Sequence, residues 1–288
     1  MKYLVILAGS PRGGEKTWSS LNKYVLKHLE ADLAICTDIN IESSYLKNLA
    51  KYIWKTEKYE DFSEYYKKNF SGNWEEYFKL GLETGLYNSG MIHFAFKDMV
   101  KNDYSHIIKE YDYIIYSRFD QYYTDYHPKF SGANIWIPEG EDYFGICDRH
   151  AVFPVEFADE FLNICGFINS KAALEYDSSY LNCETTFFNQ LQENNQIKNV
   201  QRFDRFQFTS AIEGDKTNWR IPVMRVYGFK KLYMKYPSEF MLSIRNLLRS
   251  NKLFKAILKE PLLVLNYFYI QIKIIMGEKL RLNKEKNN

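Results

Sequence analysis

Residues 3–17 read YLVILAGSPRGGEKT. Six apolar residues in unbroken succession leave no polar face for water, so residues 3–8 predict a strand covered on both sides, as in a parallel sheet. Gly9, Ser10 and Pro11 close the run. Thr17 stands where it can cap a helix over roughly 18–30, in which Trp18, Leu21, Val25 and Leu29 recur at helical spacing. A second buried run, DLAICT at 32–37, completes a strand–helix–strand unit. Such crossovers are right-handed, so the two strands are expected as parallel neighbours. This predicts an α/β fold with a mostly parallel sheet, whose ligands gather at the carboxyl ends of the strands.

Further along, YDYIIYS at 111–117 predicts a third buried strand, with weaker ones at 134–137 and 143–147 and helices at 155–165 and 183–193. Between about 42 and 109 the chain reads as a helical, polar-aromatic insertion without a strand of comparable strength, expected to cover one side of the sheet. Residues 229–288 change character. They carry 13 Lys/Arg against 4 Asp/Glu (+9), whereas 1–228 carry 25 against 32 (−7). Phe240, Ile244, Leu247 and Leu248 among Arg245, Arg249 and Lys255 predict a basic amphipathic helix, and Pro261 opens a second apolar stretch interrupted by Asn266, Gln271 and Lys273. Two readings of this tail stand: a helix lying in an anionic membrane interface, or a hairpin packed on the body with its lysines in water.

The remaining composition narrows the class. Cys36, Cys147, Cys165 and Cys183 are far apart and form no zinc pattern, which suits a reducing compartment. The first apolar run is too short for a secretory signal, and no run of about 20 apolar residues predicts a membrane span. A cytoplasmic protein is expected, either free or peripheral at the membrane through its tail. Nucleic acid is not an expected partner, because the larger segment is acidic and no recognition motif occurs.

Three predicted strands end in chemistry-bearing turns: GSPRGG after the first, Thr37-Asp38 after the second, and Ser117-Arg118-Phe119-Asp120 after the third. GSPRGGEKT is not a Walker A loop, since Glu15 separates Gly14 from Lys16 and displaces the lysine from the phosphates. Arg12 beside a helix N-terminus still favours phosphate oxygens. The same stretch resembles the phosphosulfate-binding loop of sulfotransferases, the rival enzyme reading. Asp120, just past a central strand, suits a divalent cation held against a diphosphate. Arg118, on the same side of an extended chain, can pair with Asp120 or with a sugar or phosphate oxygen.

In order along residues 1–228, the G-x-P-R turn, DLAICT, YDYIIYSRFDQYY, YFGICDRHAVFP and LNCETTFFNQL resemble lipopolysaccharide- and capsule-type glycosyltransferases of the GT-A fold. The resemblance implies a GT-A-like catalytic domain over 1–228, followed by the basic tail, and transfer of a sugar from a nucleotide-sugar donor to a glycan or lipid-linked acceptor in surface polysaccharide synthesis. It implies that Gly9, Pro11, Arg12, Thr37 and Asp38 face the nucleotide and that Asp120 binds the sugar diphosphate with Mn2+ or Mg2+; Arg118 joins the donor-binding candidates from its own position beside Asp120. It further places Asp148 and Arg149 near the donor sugar and acceptor, and makes Glu184 the late acidic residue. One position departs from the pattern: Arg118 stands where a second acid is usual. Asp148 and Glu184 are the candidate bases for the acceptor hydroxyl; the plainer readings are that Asp148 orients Arg149 and that Glu184, behind an Asn182 cap, favours the helix dipole. His150 reaches a phosphate or serves as scaffold. Arg202 and Arg205 close over the diphosphate or stay solvated. Tyr122 and Tyr123 stack on a ligand or fill the core. A noncatalytic membrane adaptor acting through the tail is the third class.

Overall fold

The computed structural model describes residues 1–83, 86–213, 215, 224–229 and 231–285, so the tail's end, 286–288, lies outside the described residues. Among these, seven strands form one sheet: β1 (Tyr3–Ala8), β2 (Asp32–Thr37), β3 (Tyr52–Lys55), β4 (Tyr113–Ser117), β6 (Ile135–Pro138), β7 (His150–Pro154) and β8 (Val200–Phe203), in the order β3-β2-β1-β4-β7-β6-β8. Pairing is parallel between β1 and β2, β2 and β3, β1 and β4, and β6 and β8; β7 runs against both β4 and β6. Strand β7 is thus the single reversed member, and the protein is an α/β, Rossmann-like molecule. A second, antiparallel sheet orders β10 (Met224–Arg225), β11 (Leu232–Met234), β9 (Gln207–Ile212) and β5 (Gln121–Tyr123).

The unbroken apolar run of β1 has the cause its sequence suggests. Leu4, Ile6 and Ala8 face one core with the Met91–Ile108 and Cys183–Glu193 helices; Tyr3, Val5 and Leu7 face another with Trp18, Leu21, Tyr24 and Val25. The insertion therefore covers one side of the sheet, as expected, although it also contributes the edge strand β3. A third core joins the small sheet to the C-terminal helices through Tyr122, Phe208, Leu232, Phe240, Ile244, Leu247 and Leu263. The Pro237–Lys259 helix of the tail accordingly packs on the body. Its Glu239 is fully buried, and Glu260, next in line, accepts a 2.5 Å bond from the Tyr24 hydroxyl.

Two expectations need correction. Residues 143–147 are not a strand: Tyr143 and Phe144 are left-handed, with φ of 43° and 70°. Gly145 approaches the start of the Cys183–Glu193 helix so closely that an added Cβ would lie 2.1 Å from the Glu184 carbonyl oxygen, to which Ile146 N–H also donates. The first helix starts at Gly14, not at 18. Gly13, at φ 87°, precedes it, and the Thr17 hydroxyl turns inward to the Gly13 carbonyl and to Ser210 instead of capping.

Strand direction now fixes an address. Strands β1, β2, β4, β6 and β8 end at one edge of the sheet, and reversed β7 begins there, because His150 pairs with Ser117. The turns at 9–13, 37–38, 118–120, 139–149 and 204–205 all belong to that edge.

Candidate functional site

The glycine turn and the backbone of Asp120 meet. A Cβ on Gly13 would stand 3.2 Å from the Cα of Asp120, a tight contact, and the φ of 87° there is one that favours glycine. Gly9 N–H bonds to the Cys36 carbonyl, 3.0 Å away, tying the β1 turn to the end of β2. Arg12 is half-buried beside it. Thr37 is buried, and burial pushes Asp38 above its ordinary value, with Oδ1 lacking a hydrogen-bond partner among the described residues. The Gly13 amide, just ahead of the helix, is already taken: Asp215 accepts from Gly13 N–H at 3.1 Å and from Ile212 N–H at 2.9 Å. A carboxylate of the chain thus takes the amide that the sequence offered to a phosphate.

Arg118 and Asp120 form a bidentate pair, Nε to Oδ1 at 2.9 Å and Nη2 to Oδ2 at 2.6 Å. The Asp120 side chain is only 3% exposed and that of Arg118 26%, so this is a recessed pair with one open cationic end. A divalent cation fits poorly. Both Asp120 oxygens are engaged, and among the described residues no three His, Cys, Asp or Glu side chains lie close enough together to hold a metal.

Before β7, Asp148 and Arg149 enter a buried polar cluster. Arg149 donates to Glu184 Oε1 at 2.7 Å and to Glu239 Oε1 at 2.8 Å, with its guanidinium over the rings of Tyr143 and Tyr236. Glu184 lies in the first turn of a helix closed by a capping box, Asn182 accepting from Thr185 N–H and Thr185 Oγ1 from Asn182 N–H. Burial, then the nearby Asp148, push its carboxyl up to about 7, against the pull of Arg149 and Arg118. Asp148 goes the other way. Burial would raise it, but His93, whose Nε2 is 3.2 Å away, together with Lys97 and Arg149, holds it well below the usual carboxylate range. His93 and Lys97 are one turn apart on the Met91–Ile108 helix. Lys97 is wholly buried against Phe187, Phe161 and Tyr116 and is pushed down to about 8 by burial, despite attraction to Asp148. Lys235 Nζ lies 4.8 Å from the centroid of the Tyr236 ring that Arg149 also covers, which places it in the same cluster, and burial, then Arg118 and Arg149, push it down to about 8.

Arg118, Asp120, Asp148, Arg149 and Glu184 are therefore brought together. Two other candidates lie deeper. His150 has Nδ1 3.1 Å from Ser117 Oγ and Nε2 3.2 Å from His127 Nε2, fully buried. Arg205 bonds the carbonyls of Glu139 and Gly140 and shares Glu239 with Arg149. Arg202 pairs with Asp142 on the 139–149 loop. Tyr122 and Tyr123 are buried in separate cores.

Sequence reasoning missed His93, Lys97, Lys235, Tyr236 and Glu239. The signal for the first two was a basic pair four residues apart in an otherwise apolar helical stretch, MIHFAFKDMV. Glu239 was a lone acid in the basic tail, and nothing local announced its burial. The chain matches no family model and no curated protein.

Proposed function

We propose that the chain is a glycosyltransferase of GT-A-like fold that moves a sugar from a nucleoside-diphosphate sugar to a hydroxyl of a glycan or lipid-linked acceptor. The observation that carries this reading is the convergence, at one edge of the sheet, of the Gly13 turn, the Arg118–Asp120 pair and the Asp148–Arg149–Glu184 cluster. Glu184 is the general base. A carboxyl near 7 is ionised for part of the time at neutral pH and takes a proton more readily than an ordinary glutamate. Arg149 aims it, and Asp148 remains ionised beside the sugar. The cations at this edge stabilise the departing diphosphate, whose charge grows as the glycosidic bond breaks. Asp215 on the Gly13 amide speaks against a phosphosulfate in the GSPRGG turn.

The test is a panel of sugar nucleotides, scored for slow hydrolysis and for thermal stabilisation of the full chain. Stabilisation and hydrolysis with one donor support the assignment; stabilisation by adenosine 3′,5′-bisphosphate alone replaces it with the sulfotransferase.

The C-terminal helices support a peripheral site of action. Phe254, Leu258, Leu265, Ile272 and Met276 are each at least half exposed, on helices belonging to the +9 segment. No helix among the described residues is long and apolar enough to cross a membrane. An apolar face within a cationic segment fits an anionic membrane surface on the cytoplasmic side, each surface-proximal Lys or Arg contributing about 1 kcal/mol.

A further inference from the structure

We propose that the donor diphosphate is gripped by Arg118 and Lys235 instead of a divalent cation, with Asp120 acting as the positioning residue for Arg118. The inference rests on the transferase reading and specifies its donor site.

The geometry divides the guanidinium in two. Asp120 takes the Nε and Nη2 edge, and Nη1 has no hydrogen-bond partner among the described residues. The carboxylate is recessed while the arginine stays partly open, so a ligand entering the edge meets the cation first. For Asp120 to serve a metal, its two charge-assisted bonds would have to break and Arg118 would be left unpaired beside Arg149 and Lys235, three positive groups gathering around an added dication. With the pair intact, the same cations face a dianion favourably. Lys235 Nζ and the Arg149 guanidinium lie over the same Tyr236 ring, 4.8 Å and 4.6 Å from its centroid, and Arg118 comes level with Arg149 because Ser117 and His150 pair between antiparallel β4 and β7. Fork geometry on phosphate oxygens is what an arginine held by one edge offers from the other.

In the step itself the anomeric carbon–oxygen bond to the β-phosphate breaks and its electron pair leaves with the diphosphate. The acceptor oxygen bonds to the anomeric carbon and gives its proton to Glu184. The diphosphate gains one negative charge, which Arg118 and Lys235 neutralise without a further co-reactant.

The test measures binding of UDP, GDP, dTDP, CDP and ADP, with the parent nucleosides, to the full chain by calorimetry, in EDTA and in Mn2+. The expected result is one diphosphate whose affinity agrees within about threefold between the two conditions. Arg118→Gln and Asp120→Asn should each lower that affinity tenfold or more, leave the parent nucleoside unaffected, and show no added loss when combined, because both remove the same oriented fork. Arg118→Lys, which keeps charge and loses the fork, should not rescue. A tenfold or greater loss in EDTA restored by Mn2+ overturns the inference and leaves the transferase standing. If no nucleoside diphosphate binds under either condition, both fall. The EDTA comparison uses the unaltered chain, so it decides the matter even where a variant fails to fold.

Discussion

Glu184 and Asp148 share a type and a neighbourhood yet are driven apart, one up to about 7 and the other below the ordinary range. Both are buried; the difference is in their neighbours, since His93, Lys97 and Arg149 lower Asp148, whereas Glu184 meets Asp148 as a like charge against the pull of Arg149 and Arg118. Two carboxyls split in this way take different tasks. Because the base must be ionised, transfer should rise about tenfold per pH unit below 7 and level off above it. Glu184→Gln should lower kcat by about 10²–10⁴ and abolish that slope; a variant that keeps the slope removes Glu184 from the role. Glu239 is the structural counterpart. It compensates both Arg149 and Arg205 and accepts from Thr209 N–H at 2.6 Å. Glu239→Ala should cost about 3–5 kcal/mol, since two buried cations lose their counter-charge, and a thermal melt within a few degrees of the parent would refute this.

The 139–149 loop shows how an element can misread. YFGIC is a short apolar run such as a strand carries, but the chain there must place Tyr143 over Arg149 and pass Gly145 against the Glu184 helix, and a strand cannot do both. Left-handed Tyr143 and Phe144 make the turn, and Asn182 Nδ2 holds the Tyr143 carbonyl at 3.0 Å. Gly145→Ala should therefore push the loop and the base apart: a stability loss of about 1–3 kcal/mol, with a larger proportional fall in kcat than in donor affinity. Steady-state kinetics with a parallel melt distinguish that from simple destabilisation. Strands β1, β2 and β4 and the Asn182-capped helix were visible in advance because each is written in contiguous apolar runs or a cap four residues long. Strand β5 was hidden inside the run after Asp120, where three residues pair with β9 across 84 to 88 positions of chain.

The whole molecule joins two electrostatically different parts through a shared apolar core and two buried acids, Glu239 and Glu260. The tail looked separable on charge, yet Glu239 inserts into the arginine cluster and Asn246 bonds the Arg205 carbonyl at 3.0 Å. Removing 237–285 should therefore strip the candidate site as well as any membrane contact, and membrane association is better probed on the intact chain. With vesicles of phosphatidylglycerol, the parent should co-sediment and Phe254→Glu with Leu258→Glu should not, while donor binding persists; equal sedimentation by both removes the membrane surface from the reading.

Local pattern was enough to specify the layered α/β class, the parallel start of the sheet and five of the charged groups at its edge, because two-sided burial writes itself as continuous apolar runs whose ends are then easily found. It left open whether Arg118 would pair with Asp120 or reach a ligand, and it did not reveal that His93, Lys97, Lys235 and Glu239 join them. Those facts depend on contacts between segments far apart in the chain, and on desolvation that exists once the helices have closed over the sheet: the ion pairs and shifted protons at this edge are properties of burial, and burial here is assembled from five separate stretches.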